Sequence, residues 1–201
     1  NCGKIEISNN NKICIIAGPC QLETEQHAMD IAGKIQEIAK KFNLGFIYKT
    51  SFDKANRTSL KGKRGAGLET SLPVFDKIRK ELNIPLLTDI HNIEQCSIVS
   101  NHVDILQIPA FLCRQTDLLI ATKKTNKIIN LKKPQFLATW HMVNDTKKIS
   151  DSGNKNILVT ERWESFGYNA LVSYMRSLSK KKKNGYPVIF DATHSVQQPG
   201  G

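Results

Sequence analysis

The chain has 201 residues, 40% of them hydrophobic and 23% charged, with a formal net charge of +11. That length and balance predict one domain, 1–201, with a real core, and no run approaches the roughly 18 apolar residues of a membrane span. The start, NCGKIEISNNNK, lacks the apolar region of a signal peptide, so the expected location is cytoplasmic. The excess of cations admits a nucleic-acid binder. The basic residues are nevertheless spread among strand ends and helices without aromatic interleaving, which argues for small anionic substrates and against nucleic acid. Five cysteines, Cys2, Cys14, Cys20, Cys96 and Cys113, form no CxxC pair and suit reduced thiols. Most read as small core residues, whereas Cys20 stands where a strand gives way to a loop.

Taken in chain order, the first apolar run, IIAGPC from Ile15 to Cys20, ends on Gly18, Pro19 and Cys20. Helical spacing follows at Ala28, Ile31, Ile35, Ile38, Ala39 and Phe42. A second apolar run, Gly45 to Tyr48, delivers Lys49 into the loop that reaches Glu69. Lys54, Arg57, Thr58, Ser59, Lys61, Lys63 and Arg64 are too polar for a core, and Gly62, Gly65 and Gly67 let the backbone close around an anion. A solvated basic loop is the alternative reading of the same residues.

A second helical pattern, Leu72, Phe75, Ile78 and Leu82, precedes the third run, LLTDIH, which ends in Asp89 and His91. The fourth run is ILQIPAF, Ile105 to Phe111. The fifth, INLKKPQF, is centred on Asn130 and carries Lys132; the sixth, ILVTER, ends in Arg162. Leu171, Val172, Met175 and Leu178 give a third helical pattern, which leads into the lysines Lys180 to Lys183 before Asn184 and Gly185. Cations at a helix end favour its dipole, and this run reads as a solvated face. The seventh run, VIFDATHS, ends with His194.

Alternating strands and helices with polar groups after every strand predict an α/β fold, a (β/α)8 TIM barrel whose site is built at the C-terminal strand ends. An open doubly wound sheet is the alternative, and it would concentrate ligand contacts at one switch point. About seven strands are present, and a barrel of this kind takes roughly 250 residues and an eighth strand. The expectation is therefore a barrel lacking its C-terminal part. Cys20 and His194, on the first and seventh strand ends, offer a thiolate and an imidazole of the kind that hold Zn or Fe(II). A buried thiol and a hydrogen-bonded histidine are the alternative.

The motifs IAGPCQLE, YKTSFDKANRTS, TDIH, QIPAFLCRQTDLL, NLKKPQF, ER followed by FGYNALV, and FDATHSVQQPGG, in that order, resemble the 3-deoxy-D-manno-octulosonate 8-phosphate synthases. The resemblance runs from about residue 13 to the end. It implies a transferase of lipopolysaccharide inner-core (KDO) biosynthesis, which joins phosphoenolpyruvate and D-arabinose 5-phosphate in an aldol-type condensation. The related 3-deoxy-heptulosonate 7-phosphate synthases share fold and reaction, and the KANR stretch selects the octulosonate branch.

By the same resemblance Lys49, Lys54, Lys132 and Arg162 surround phosphoenolpyruvate, with Pro109 and Ala110 near the same ligand. Asn56, Arg57 and Thr58 meet the aldose phosphate, and Asp89 and His91 support its reacting end. Arg114 is the arginine lent by a neighbouring subunit, which implies a homo-oligomer, a tetramer. A cysteine in the AGPC motif marks the metal-dependent branch, so Cys20 and His194 are expected to hold a divalent metal, Zn, Fe(II) or Mn. The remaining ligands, a glutamate and an aspartate, are expected beyond Gly201.

Some positions depart from the family pattern. Trp163 stands where glycine is usual, with Glu164 after it; His141 replaces an aspartate, Thr139 a proline and Tyr174 an aspartate. An indole beside Arg162 is expected to displace the guanidinium, and Glu164 to compete with the substrate phosphate. A non-catalytic phosphate-binding remnant is thus the second reading.

Overall fold

Short runs rich in Ile, Val and Leu form seven parallel strands among residues 1–197, the part of the chain that the computed structural model describes. They are β1 (Cys14–Ala17), β2 (Gly45–Lys49), β3 (Leu86–Asp89), β4 (Ile105–Ile108), β5 (Ile128–Lys132), β6 (Ile157–Glu161) and β9 (Val188–Phe190). A separate two-stranded hairpin, β7 (Glu164–Ser165) and β8 (Leu171–Val172), is antiparallel. The strand order is β1-β2-β3-β4-β5-β6-β9, with parallel registers such as Ala17 on Tyr48 and Glu161 on Phe190. The order never reverses, so the switch point that an open doubly wound sheet needs is missing. This is the α/β arrangement of an incomplete (β/α)8 barrel.

Contacts divide the chain into two compact units: Asn1–Ile90 with Ile98–Leu106, and His91–Ser97 with the chain from Gln107 on. In the first, α1 (Glu25–Lys41) starts at Thr24, whose side chain accepts from the His27 amide at 3.2 Å. Its core face is carried by Ala28, Ala32 and Ala39, small enough for close approach, while Ile38 and Phe42 are exposed, unlike the stripe the spacing predicts. The second helix, α2 (Leu68–Leu82), buries Val74, Phe75 and Ile78. Asn43 and Asn83 have φ of 52° and 51°, so they sit in the left-handed turns that asparagine tolerates.

In the second unit α4 (Thr116–Lys123) and α5 (Met142–Asp151) flank strands whose interior holds a polar ladder. Thr160 Oγ1 donates to Asn130 Oδ1 at 2.6 Å, and Asn130 Nδ2 donates to Gln107 Oε1 at 3.1 Å. All three are buried, so each bond replaces water that the interior excludes. A further helix, α3 (Ile93–Ser100), follows β3.

The third predicted helix needs correction. Leu171 and Val172 belong to β8, and α6 spans only Arg176–Lys182. Gly167, at φ 78°, turns the chain, and the Phe166 amide donates to the Ala170 carbonyl at 2.9 Å, which closes a hairpin that helical spacing alone does not reveal. No helix of the described residues is long and apolar enough to cross a membrane.

Candidate active site

Two groups of cations stand at strand ends, one in each unit. In the first unit β1 runs so close to β2 that a Cβ on Gly18 would lie 2.0 Å from the Lys49 carbonyl oxygen. Only glycine permits that approach. Beyond β2, Lys54 Nζ donates to Ser51 Oγ at 2.8 Å and Lys49 Nζ approaches the same oxygen at 3.5 Å, so one hydroxyl gathers two ammonium groups. The loop is closed by backbone bonds, Lys54 N to Arg64 O at 2.7 Å and Gly67 N to Phe52 O at 3.0 Å, and by Arg64 paired with Asp53. Arg57 Nε donates to the Lys63 carbonyl at 2.8 Å and its Nη2 to Gln21 Oε1 at 2.5 Å. The basic loop is therefore a folded structure with a fixed Arg57, while Asn56 and Thr58 are exposed beside it.

In the second unit the group converges on Asp191, just past β9. Its carboxylate receives Lys132 Nζ at 2.6 Å and His194 Nδ1 at 2.8 Å, and Arg162 Nε lies 3.9 Å away. The backbone amide of Asp191 donates to the Glu161 carbonyl at 3.0 Å, which places it beside the end of β6. Burial opposes the charge on Asp191, but the hydrogen bonds and charges of His194 and Lys132 outweigh it and hold the carboxyl well below the usual carboxylate range. Burial likewise works against the Arg162 charge, with Asp191 opposing the loss. One carboxylate thus faces three groups that carry or can carry positive charge, an excess that suits a phosphate or carboxylate ligand.

The structure brings Lys132, Arg162 and His194 together in one group and Lys49 and Lys54 in the other. Ala110 is buried and starts a 3₁₀ turn after β4, with Pro109 as its cap. Arg114 is exposed just before α4. Asp89 is buried at the end of β3. The His91 amide donates to Gln95 Oε1 at 2.7 Å, and His91 lines a cavity of about 310 Å³ with Glu94, Gln115 and Asp117.

Cys20 is the exposed cysteine of the five; Cys2, Cys96 and Cys113 are buried. Among the described residues no group of three or more His, Cys, Asp or Glu is arranged to hold a metal ion. His194 has the form of a metal-ligating histidine in one respect, since Asp191 occupies its Nδ1 and leaves Nε2 available.

Asp191, Ser51 and Gln21 were not among the expected residues. Asp191 had a signal: it lies three residues before His194 at a strand end, where an acid can orient a histidine. Ser51 and Gln21 act through neighbours that only the folded loop supplies.

Two departures have neighbours within the site. The Arg162 guanidinium lies over the Trp163 ring, 4.4 Å from the centroid. Glu164 is engaged by Lys133, 3.7 Å from its Nζ, and so has a partner other than Arg162. Thr139 is buried in a 3₁₀ turn, His141 stands edge-on to Trp140, and the Tyr174 hydroxyl accepts from Lys180 at 3.1 Å.

A barrel-type sheet with lysines, an arginine and a histidine at its strand ends belongs to the class of enzymes that handle small phosphorylated acids. The chain belongs to the DAHP synthetase I family, whose family model matches residues 1–201. It is 60% identical over 199 residues to the 2-dehydro-3-deoxyphosphooctonate aldolase of Chelativorans sp. (strain BNC1), covering 99% of this chain and 72% of that protein. The protein of the same name from Mesorhizobium japonicum is also 60% identical, and that of Brucella anthropi 59%, each over 199 residues with the same coverage.

Proposed function

We propose that this chain condenses phosphoenolpyruvate with D-arabinose 5-phosphate and water to give 3-deoxy-D-manno-octulosonate 8-phosphate and phosphate, the transferase step of KDO biosynthesis. The observation that carries the reading is the convergence of Lys132, Arg162 and His194 on half-buried Asp191, in a chain about 60% identical to proteins named for the octulosonate reaction. Lys132 and Arg162 bind phosphoenolpyruvate, the lysine as a point charge and the arginine as a planar fork. Lys49 and Lys54, gathered by Ser51, serve the same ligand, with Pro109 and Ala110 beside it. Arg57, fixed by Gln21, takes the aldose phosphate with Asn56 and Thr58; Asp89 and His91 serve its reacting end.

The substrates together bring four to five negative charges, and at a few ångströms in a site of low dielectric their repulsion costs many kcal/mol unless fixed cations offset it. With that repulsion removed, the enol C3 attacks the sugar aldehyde, water adds at C2, and phosphate leaves by C–O cleavage. The protein contributes position and charge.

This reading includes a divalent metal, Zn, Fe(II) or Mn, toward which the candidate donors are the Cys20 sulfur and the His194 imidazole, whose Nδ1 is engaged by Asp191. When bound there it supplies Lewis acidity toward oxygen. The same reading includes a cytoplasmic homo-oligomer in which exposed Arg114 reaches a neighbouring subunit. The non-catalytic alternative is not favoured, because relatives about 60% identical are named for the octulosonate reaction. Phosphate release is the test: arabinose 5-phosphate should drive it and erythrose 4-phosphate should not. Release with erythrose 4-phosphate alone assigns the chain to the heptulosonate reaction.

A further inference from the structure

Beneath the phosphate-binding group lies a second set of charges that the reaction does not use. Lys133 is fully buried, and its Nζ donates to the carbonyls of Pro134, Leu137 and Trp163 at 3.2, 3.5 and 3.4 Å. The same nitrogen lies 3.7 Å from Glu161 Oε1 and 3.7 Å from Glu164 Oε1. Glu161, also buried, meets Lys181 of α6 through its other oxygen, so the run expected to be solvated sends one lysine into the interior. Two lysines thus face two glutamates, and the set is neutral.

Two members of this set adjoin a substrate-binding residue in sequence. Lys133 follows Lys132, and Glu161 precedes Arg162. Along extended chain such neighbours face opposite sides, so Lys132 and Arg162 meet Asp191 on one side while Lys133 and Glu161 meet each other on the other. Trp163 joins the two sides, because its carbonyl accepts from Lys133 and its ring carries Arg162. A buried ion set of this kind contributes little net stability, since desolvation offsets its attraction, and its better attested use is to specify geometry.

We propose that Glu161 is a positioning residue for phosphate binding: by holding Lys133 and Lys181 behind the ends of β5 and β6, it fixes the backbone that presents Lys132 and Arg162. The inference rests on the function proposed above for those two cations. Burial, with the charge of Lys133 adding to it, pulls Lys181 down to about 7.

The test uses a Trp140→Phe background, which leaves Trp163 as the single tryptophan of the two present. Glu161→Gln should weaken phosphoenolpyruvate binding about tenfold or more in calorimetric titration, since small misplacements of binding groups cost that much and more. The KM for arabinose 5-phosphate should stay within about twofold, and Trp163 emission should move to longer wavelength as its packing loosens. The double variant Glu161→Leu with Lys181→Met replaces the pair by apolar side chains and should recover the melting temperature without recovering affinity. Affinity that returns with stability in the double variant would mean a purely structural role and overturn the inference. So would Glu161→Gln with unchanged affinity and emission. A parent chain that fails to bind phosphoenolpyruvate would overturn the functional reading instead, and the emission comparison would still decide whether Glu161 positions Arg162.

Discussion

Arg162 carries two demands at once, since it must face Asp191 and lie over Trp163. A lysine keeps the charge but has neither the planar fork nor the flat face, so Arg162→Lys should not behave as a conservative change. Phosphate-release kinetics should show kcat/KM falling by about a hundredfold, on the order of 2.7 kcal/mol, with most of the loss in KM for phosphoenolpyruvate. Cys20 separates ligand from bystander. Cys20→Ser should remove most bound metal, measured by elemental analysis of the purified chain, because a neutral hydroxyl replaces thiolate poorly. Its melting temperature should change little, given the exposure of the thiol. Equal metal content in both proteins would assign Cys20 no ligand role.

At the scale of elements, the seven parallel strands were legible in the sequence because each apolar run stops abruptly at a polar residue. That is the pattern of strands covered on both faces and functional at one end. The hairpin β7–β8 was not legible: two-residue strands leave no period to read, and Leu171 and Val172 share their spacing with a helix. The site was legible wherever charge at a strand end was the signal, as at Lys49, Lys132 and Arg162. It was illegible where a residue works by holding another, as Gln21 holds Arg57 and Asp191 holds Lys132. Gly18 belongs to this scale, because its role is the distance between two strands. Gly18→Ala puts a methyl group 2.0 Å from the Lys49 carbonyl, and the strand ends must part. The expected cost is about 1–3 kcal/mol in denaturant unfolding, with a weaker phosphoenolpyruvate affinity because Lys49 moves with its carbonyl.

For the whole molecule, Lys181 makes stability respond to pH in the direction opposite to that of a lysine such as Lys77, whose carboxylate partner raises its pKa. In the folded chain its pKa lies near about 7, whereas an unfolded lysine titrates near about 10.4. Between those values the unfolded chain binds more protons than the folded one, so this group makes stability rise with pH through that window. Below about 7 the full cost of burying its charge is present. The double variant Glu161→Leu with Lys181→Met, which leaves neither member of that pair buried alone, should therefore gain most over the parent near pH 6 and least near pH 10, as read from denaturant midpoints across that range. A constant difference across the range would mean that Lys181 titrates normally.

The position of Asp191 along the chain also bears on synthesis. Lys132 and Arg162 leave the ribosome well before Asp191, so until β9 pairs with β6 the ends of β5 and β6 present like charges without their counter-ion. Like charges brought close together repel, so the carboxylate favours the docked arrangement once it is present. Arrival of the ninth strand brings the Asp191 carboxylate to these cations. The arrangement of Lys132 and Arg162 around a shared carboxylate therefore exists only in chains that have been made at least as far as Asp191.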